Sequence, residues 1–141
     1  MPTNTWPFLA ALALATLAQA QTAVKPIADA HCQISVPSDW TASNRAGIGA
    51  RSPGDRRFDA VVRSFDSAEY QTAVDSMKQA NATVVDQNAN HILLVAPALG
   101  GRKQYVEITK SHPLGCRVNI NFPADQEPIA RKIADSVKPL K

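Results

Sequence analysis

Two segments of this 141-residue chain alternate between apolar and polar residues, and each begins at one of the chain's two cysteines. In both segments the even-numbered positions carry the apolar side chains: Cys32, Ile34, Val36, Cys116, Val118, Ile120 and Phe122. Alternation of this kind is typical of a β-strand with one buried face. Both sulfur atoms are therefore predicted to point toward the core.

The N-terminal segment indicates the compartment in which these cysteines reside. Residues 1–20 contain no Asp, Glu, Lys or Arg, and an apolar run at 6–17 is shorter than the roughly 20 residues a membrane-spanning helix needs. Ala18-Gln19-Ala20 follows as a small-x-small cleavage pattern. We therefore expect a signal peptide at 1–20, cleaved after Ala20, and a single periplasmic or secreted domain at 21–141 without stable membrane insertion.

Export favours a disulfide between Cys32 and Cys116, because an even number of cysteines in an oxidising compartment is typical of structural bridges. The alternatives are a redox pair or thiolate ligands of a metal. The chain has neither a Cys-x-x-Cys motif nor nearby residues at metal-ligand spacing. The sequence thus predicts a structural bridge that closes a loop of about 84 residues.

Short turns separate most of the predicted elements. Strands are predicted at 31–36, 46–51, 58–65, 83–86, 91–96, 103–110 and 116–122, with helices from Asp66 or Ser67 to about Asn81 and from Asp125 onward. Residues 21–29 are predicted to be an extended lead-in, and Pro53-Gly54 a type II turn within the first hairpin. The order predicts a single-domain α+β fold, an antiparallel sheet with two helices packed on it.

A family resemblance adds to this prediction. The element order β-β-β-α-β-β-β-β-α, the segment ISVPSDW at 34–40 and the ending IADSVKP at 133–139 together resemble the PsbP-like family. In that family the opening strand commonly ends in a proline followed shortly by Trp, as at Pro37 and Trp40. An aromatic-Gly-aromatic entry to that strand is replaced here by Asp29-Ala30-His31-Cys32. The resemblance implies an α/β/α sandwich and a family that is mostly non-enzymatic.

No recognisable arrangement of residues in the sequence points to catalysis, a cofactor or a metal. The serines lack a Gly-x-Ser-x-Gly motif, and His31, His91 and His112 are scattered without metal-ligand spacing. We therefore predict that the protein is not an enzyme. A net charge of +3 is modest, and few aromatic residues remain to stack on bases, so nucleic acid is not an expected partner.

The basic residues nevertheless cluster in the first hairpin and its approach: Arg45, Arg51, Arg56, Arg57 and Arg63. A solvated surface is one interpretation. The alternative is that Arg51, Asp55, Arg56, Arg57 and Arg63 dock an acidic protein surface, since arginine is favoured at interfaces.

This alternative leads to a functional hypothesis, a periplasmic protein-binding module. Its most concrete form is an immunity-type inhibitor of a toxic effector delivered by a bacterial secretion system. An envelope carrier for a small or lipid-like ligand is the alternative function, and a homodimer is an open possibility.

Overall fold

The computed structural model describes residues 23–44 and 47–141, so the predicted signal peptide and Arg45 lie outside the described residues. The strands are β1 (Val24–Ala28), β2 (Cys32–Pro37), β3 (Thr41–Ser43), β4 (Ile48–Arg51), β5 (Asp59–Phe65), β6 (Thr83–Gln87), β7 (His91–Pro97), β8 (Arg102–Thr109), β9 (Gly115–Pro123) and β10 (Lys138–Pro139). The helices are α1 (Tyr70–Gln79) and α2 (Glu127–Asp135). Each follows a single 3-10 turn, at Ser67–Glu69 and Ala124–Gln126.

The strands form two antiparallel sheets, which confirms the α+β class. The large sheet has seven strands in the order β3-β4-β5-β9-β8-β7-β6, and the small sheet has three in the order β1-β2-β10. Strand β2, the first strand predicted from the cysteine pattern, belongs to the small sheet rather than to the large one. The two cysteine-bearing strands therefore come from different sheets.

The predicted disulfide is present and joins these two sheets. Cys32 on β2 and Cys116 on β9 are both fully buried, with their Cα atoms 5.7 Å apart. Beside the bridge, the Asp29 carboxylate accepts hydrogen bonds from the backbone of His31 and Cys32 and from both the backbone and hydroxyl of Ser64 on β5. Burial raises the pKa of Asp29, but these hydrogen bonds outweigh it and lower the pKa below its ordinary value.

The two helices cover opposite faces of the large sheet. The amphipathic side of α1 buries Tyr70 and Val74 against alternate residues of β7 and β8, such as Leu94 and Val106. Helix α2 and the small sheet lie on the other face, where Ile133 packs with the even-numbered residues of β9. The apolar spacing that predicted both helices is therefore confirmed as core packing.

Two local predictions from the sequence are wrong. Residues 24–28 of the predicted lead-in form β1, which pairs with β2 at the edge of the small sheet. Pro26 is tolerated there because an edge strand has one side without strand hydrogen bonds. Gly54 is absent from the positive-φ residues of the described chain, whereas a type II turn requires positive φ at that position. A longer loop joins β4 to β5 instead, closed by the hydrogen bond from Ser52 N to Phe58 O.

Within the described ranges, neither helix combines the length and the apolar content that crossing a membrane requires.

Candidate functional site

The predicted partner-binding residues lie along one hairpin but have different surroundings. Arg56 and Arg57 are exposed in the loop between β4 and β5, Arg51 is half-buried at the end of β4, and Arg63 is exposed near the end of β5. Asp55 is instead used within the fold, where its carboxylate lies 2.7 Å from Arg102 Nη2 and accepts a hydrogen bond from the Arg57 amide.

The ion pair of Asp55 fixes the base of the loop. Its hydrogen bond with Arg102 is the largest influence on the Asp55 pKa and lowers it below its ordinary value. Because Arg102 begins β8, the pair ties the loop to the N-terminal end of that strand in the large sheet. The structure therefore leaves Arg56 and Arg57, rather than Asp55, free to meet a partner.

Half of one face of the large sheet is covered by neither helix. Helix α1 packs over β7 and β8, so the same face of β5 and β9 stays open beside it. Odd-numbered residues of β5 and β9 point to this face because side chains alternate along a strand. We call it the open face; a cavity of about 250 Å³ on it is lined by Asp59, Val61, Arg63, Gln104, Arg117, Asn119 and Asn121.

Two arginines meet on the open face. Arg63 on β5 and Arg117 on β9 are direct cross-strand partners, and we call them the arginine pair. Opposed residues on antiparallel strands have Cβ atoms about 4.5 to 5.5 Å apart, and like charges in that position destabilise the sheet. Burial, followed by the charge of Arg63, lowers the pKa of the Arg117 guanidinium.

No carboxylate among the described residues neutralises the arginine pair. None of the ion pairs formed among residues 23–44 and 47–141 includes Arg63 or Arg117. The Nε atom of Arg117 donates a hydrogen bond to Asn119 Oδ1 at 3.1 Å, which orients the guanidinium without neutralising it. The sequence pattern places Arg117 on the polar side of its strand, but the opposition to Arg63 depends on a register between distant segments.

Acidic residues lie on both sides of the arginine pair. On one side, Asp59 lies four residues before Arg63 on the same strand, about 13 Å away along the backbone, and accepts a hydrogen bond from Asn121. On the other side, a cavity of about 370 Å³ between β5 and α1 is lined by the arginine pair together with Asp66 and Glu69. The open face thus presents a small positive centre between two negative regions.

A separate polar cluster lies on the opposite face of the sheet, beside α2. His91 lies between two carboxylates: its Nδ1 is 2.7 Å from Glu107 Oε1, and its Nε2 is 3.3 Å from Asp86 Oδ2. Glu107 is only 3% exposed and also accepts a hydrogen bond from Thr109. Burial raises the pKa of Glu107, and the hydrogen bond with His91 opposes that rise.

This histidine cluster connects the sheet to α2, because Arg131 of that helix lies 3.8 Å from Asp86. The cluster borders a cavity of about 370 Å³. Both ring nitrogens of His91 are occupied by protein carboxylates, an arrangement suited to holding strands and helix together. In the part of the chain that the structure describes, no group of His, Cys, Asp and Glu side chains has the geometry of a metal site.

Comparison with known proteins identifies the architecture. No protein-family model matches the chain, and no curated protein sequence matches it. Among solved structures, the chain is similar to the solution structure of cyanobacterial PsbP (CyanoP) from Synechocystis sp. PCC 6803, with a TM-score of 0.53 and 11% sequence identity. The match covers 84% of this chain and 94% of that one.

The fold is PsbP-like. This confirms the resemblance drawn from the ISVPSDW and IADSVKP segments. At 11% identity the likeness concerns the fold alone.

Proposed function

We propose that this protein is a non-enzymatic, periplasmic protein-binding module that recognises an acidic partner through the hairpin of β4 and β5 and through the open face. The observation that carries the proposal is the arginine pair, two arginines at directly opposed positions of adjacent strands without a carboxylate partner among the described residues. Their mutual repulsion has a cost in the free chain that a bound anionic group would offset. A disulfide between buried cysteines is consistent with the extracytoplasmic location.

Charge pattern supports a protein over other macromolecules. A nucleic acid strand or an anionic lipid surface presents closely spaced negative charges, which Asp59, Asp66 and Glu69 would repel on either side of the arginine pair. A protein surface can place a single acidic residue among neutral or basic ones. A homodimer centred on this face would bring two arginine pairs together, so self-association would have to use another surface.

The most concrete form of the proposal is an immunity-type inhibitor of a toxic effector delivered to the envelope by a bacterial secretion system. A small domain held together by a disulfide, with two exposed arginines on a loop anchored through Asp55, suits insertion into the cleft of an effector.

Deleting the gene should sensitise cells to periplasmic expression of an effector encoded next to it. Equal survival of deleted and complemented strains would overturn this form of the proposal.

The exposed loop arginines provide a direct test of the binding surface. Reversing both charges in the variant Arg56→Glu/Arg57→Glu should weaken the affinity for that effector by more than tenfold, or about 1.4 kcal/mol. The expected cause is repulsion from acidic groups on the effector, which also slows association. Isothermal titration calorimetry on residues 21–141 measures the change.

A matched control separates this effect from general loss of positive charge. The variant Lys78→Glu/Lys141→Glu makes the same change in net charge at two exposed positions outside the hairpin. It should bind the effector as the unaltered chain does. If both double variants lose affinity equally, the hairpin is not the binding surface and only the overall charge matters.

A groove between the small sheet and α2 favours the second candidate function, an envelope carrier. It has a volume of about 380 Å³ and is lined by Val24, Ser35, Pro37, Ile129, Lys132, Ile133 and Ser136. That volume is at the lower end for small-molecule sites, so it suits a short acyl chain with its headgroup near Lys132.

We expect native mass spectrometry of the purified domain to show a bound lipid that Ile129→Glu removes. A ligand-free spectrum contradicts the carrier function.

A further inference from the structure

The arginine pair has a geometry that specifies more than a general preference for acidic partners. Two arginines at opposed positions of adjacent strands, which line the same cavity, offer several N–H donors to one oxyanion. Arg117 is half-buried and oriented by Asn119, so part of the entropic cost of holding its side chain is already met by the fold. Arg63 is exposed and can close over a bound group.

The surroundings of the arginine pair limit the charge of that group. Asp59 lies on one side and Asp66 and Glu69 on the other, so a second negative charge on the ligand would meet repulsion in both directions. A carboxylate carries one charge in a planar fork that matches a guanidinium. A phosphate monoester carries up to two charges and fits these surroundings less well.

We infer that Arg63 and Arg117 together hold one carboxylate of the partner protein, on an Asp or Glu whose neighbours are basic or neutral. On one side, a basic neighbour about 13 Å from that carboxylate would lie next to Asp59. On the other side, a basic neighbour would lie next to Asp66 and Glu69. The partner surface is thus the charge complement of the open face, with one negative centre between positive flanks. This inference rests on the proposed function and adds the residue type that the partner contributes.

A defined peptide tests the site without the natural partner. The probe is a blocked peptide with a central Glu flanked on each side by Gly and Lys, and its controls are the same peptide with Gln and inorganic phosphate. In ¹H–¹⁵N spectra of residues 21–141, the Glu peptide should shift the Nε–H signals of both Arg63 and Arg117. Absence of these shifts, equal shifts from the Gln peptide, or tighter binding of phosphate would each overturn the inference.

Variants of the two arginines then test whether the carboxylate is shared. Arg63→Gln and Arg117→Gln should each weaken binding of the Glu peptide about tenfold, and the double variant should lose much less than the hundredfold that independent sites would give. Lys141→Gln, an exposed position outside both the hairpin and the arginine pair, should leave peptide binding unchanged. An additive double variant, or an equal effect of Lys141→Gln, contradicts a shared carboxylate.

Unfolding controls and the natural effector complete the test. Each Gln variant removes like-charge repulsion, so it should unfold at the same or a higher denaturant concentration than the unaltered chain. A lower midpoint would mean that the two arginines stabilise the fold, which contradicts the repulsion between them on which the inference depends.

If an effector binds the unaltered chain but binds Arg63→Gln/Arg117→Gln equally well, the shared carboxylate is wrong while the protein-binding function stands. If it binds neither, the proposed function itself is lost.

Discussion

Replacing Cys32 and Cys116 with alanine should lower the free energy of unfolding by about 4 to 5 kcal/mol. The bridge spans 84 residues of sequence, and on the chain-entropy model a loop of that length restricts the unfolded chain by this amount. The loss is a large share of the roughly 5 to 15 kcal/mol that stabilises a typical domain. The two sheets would then be held together by core packing and by the hydrogen bonds of Asp29 to Ser64.

Urea unfolding followed by circular dichroism measures this loss, with and without a reducing agent. Reductant should shift the midpoint of the unaltered chain to that of the alanine variant, and it should have no effect on the variant itself. If the alanine variant fails to fold, the loss of unfolding free energy is obtained from the unaltered chain alone, by comparing its oxidised and reduced forms. A shift below about 1 kcal/mol would falsify a stabilising role of the bridge.

The second large effect is expected at the histidine cluster. His91→Ala removes one of the two hydrogen bonds to Glu107 Oε1 and leaves a carboxylate that is only 3% exposed with Thr109 as its remaining partner at that oxygen. Removing the hydrogen-bond partner of a buried polar group costs roughly 1 to 3 kcal/mol, and more when the group is charged. Because Thr109 still donates to that oxygen, we expect a loss of about 2 to 3 kcal/mol at neutral pH.

The loss should depend on pH in a defined direction. Burial already raises the pKa of Glu107, and removing His91 removes the interaction that opposes the rise. A carboxyl with a raised pKa in the folded state binds more protons there than in the unfolded state. The contribution of Glu107 to the free energy of unfolding is therefore most favourable at pH values below its unfolded-state pKa. That contribution is lost as the pH rises through its folded-state pKa. The variant should recover much of its stability relative to the unaltered chain as pH falls toward 4.

Two further variants make the result specific. His91→Gln retains an N–H donor toward Glu107 and should recover part of the stability at neutral pH. His112→Ala removes an exposed histidine and should behave as the unaltered chain does. Urea midpoints at several pH values measure all three variants. A pH-independent loss in His91→Ala would show that packing, and not the unpaired Glu107 carboxylate, causes the destabilisation.

Local patterns in the sequence predict most of the fold. Alternation around Cys32 and Cys116 identifies β2 and β9 and the direction of both sulfur atoms, because a one-residue slip would expose every core side chain. Helical spacing identifies the buried sides of α1 and α2. The disulfide follows from the predicted export of the chain and from the cysteine count. These signals depend only on residues close together in the chain.

Features that depend on distant segments are not predictable in this way. Strands β3 and β10 have three and two residues, too few for a periodic signal. The division into two sheets depends on the pairing of β2 with both β1 and β10. The arginine pair requires the register of β5 against β9, and the open face exists because α1 is too short and too far to one side to cover both halves of the sheet.

The small sheet has a consequence for the order in which the chain can fold. Its central strand, β2, lies near the start of the domain, while β10 at residues 138–139 hydrogen-bonds to it from the far end of the chain. A polypeptide that emerges N-terminus first, from a ribosome or a membrane channel, has β1 and β2 available long before β9 and β10. One edge of β2 and the thiol of Cys32 therefore stay without their native partners through most of emergence, an interval in which chaperones and thiol oxidants would meet this chain.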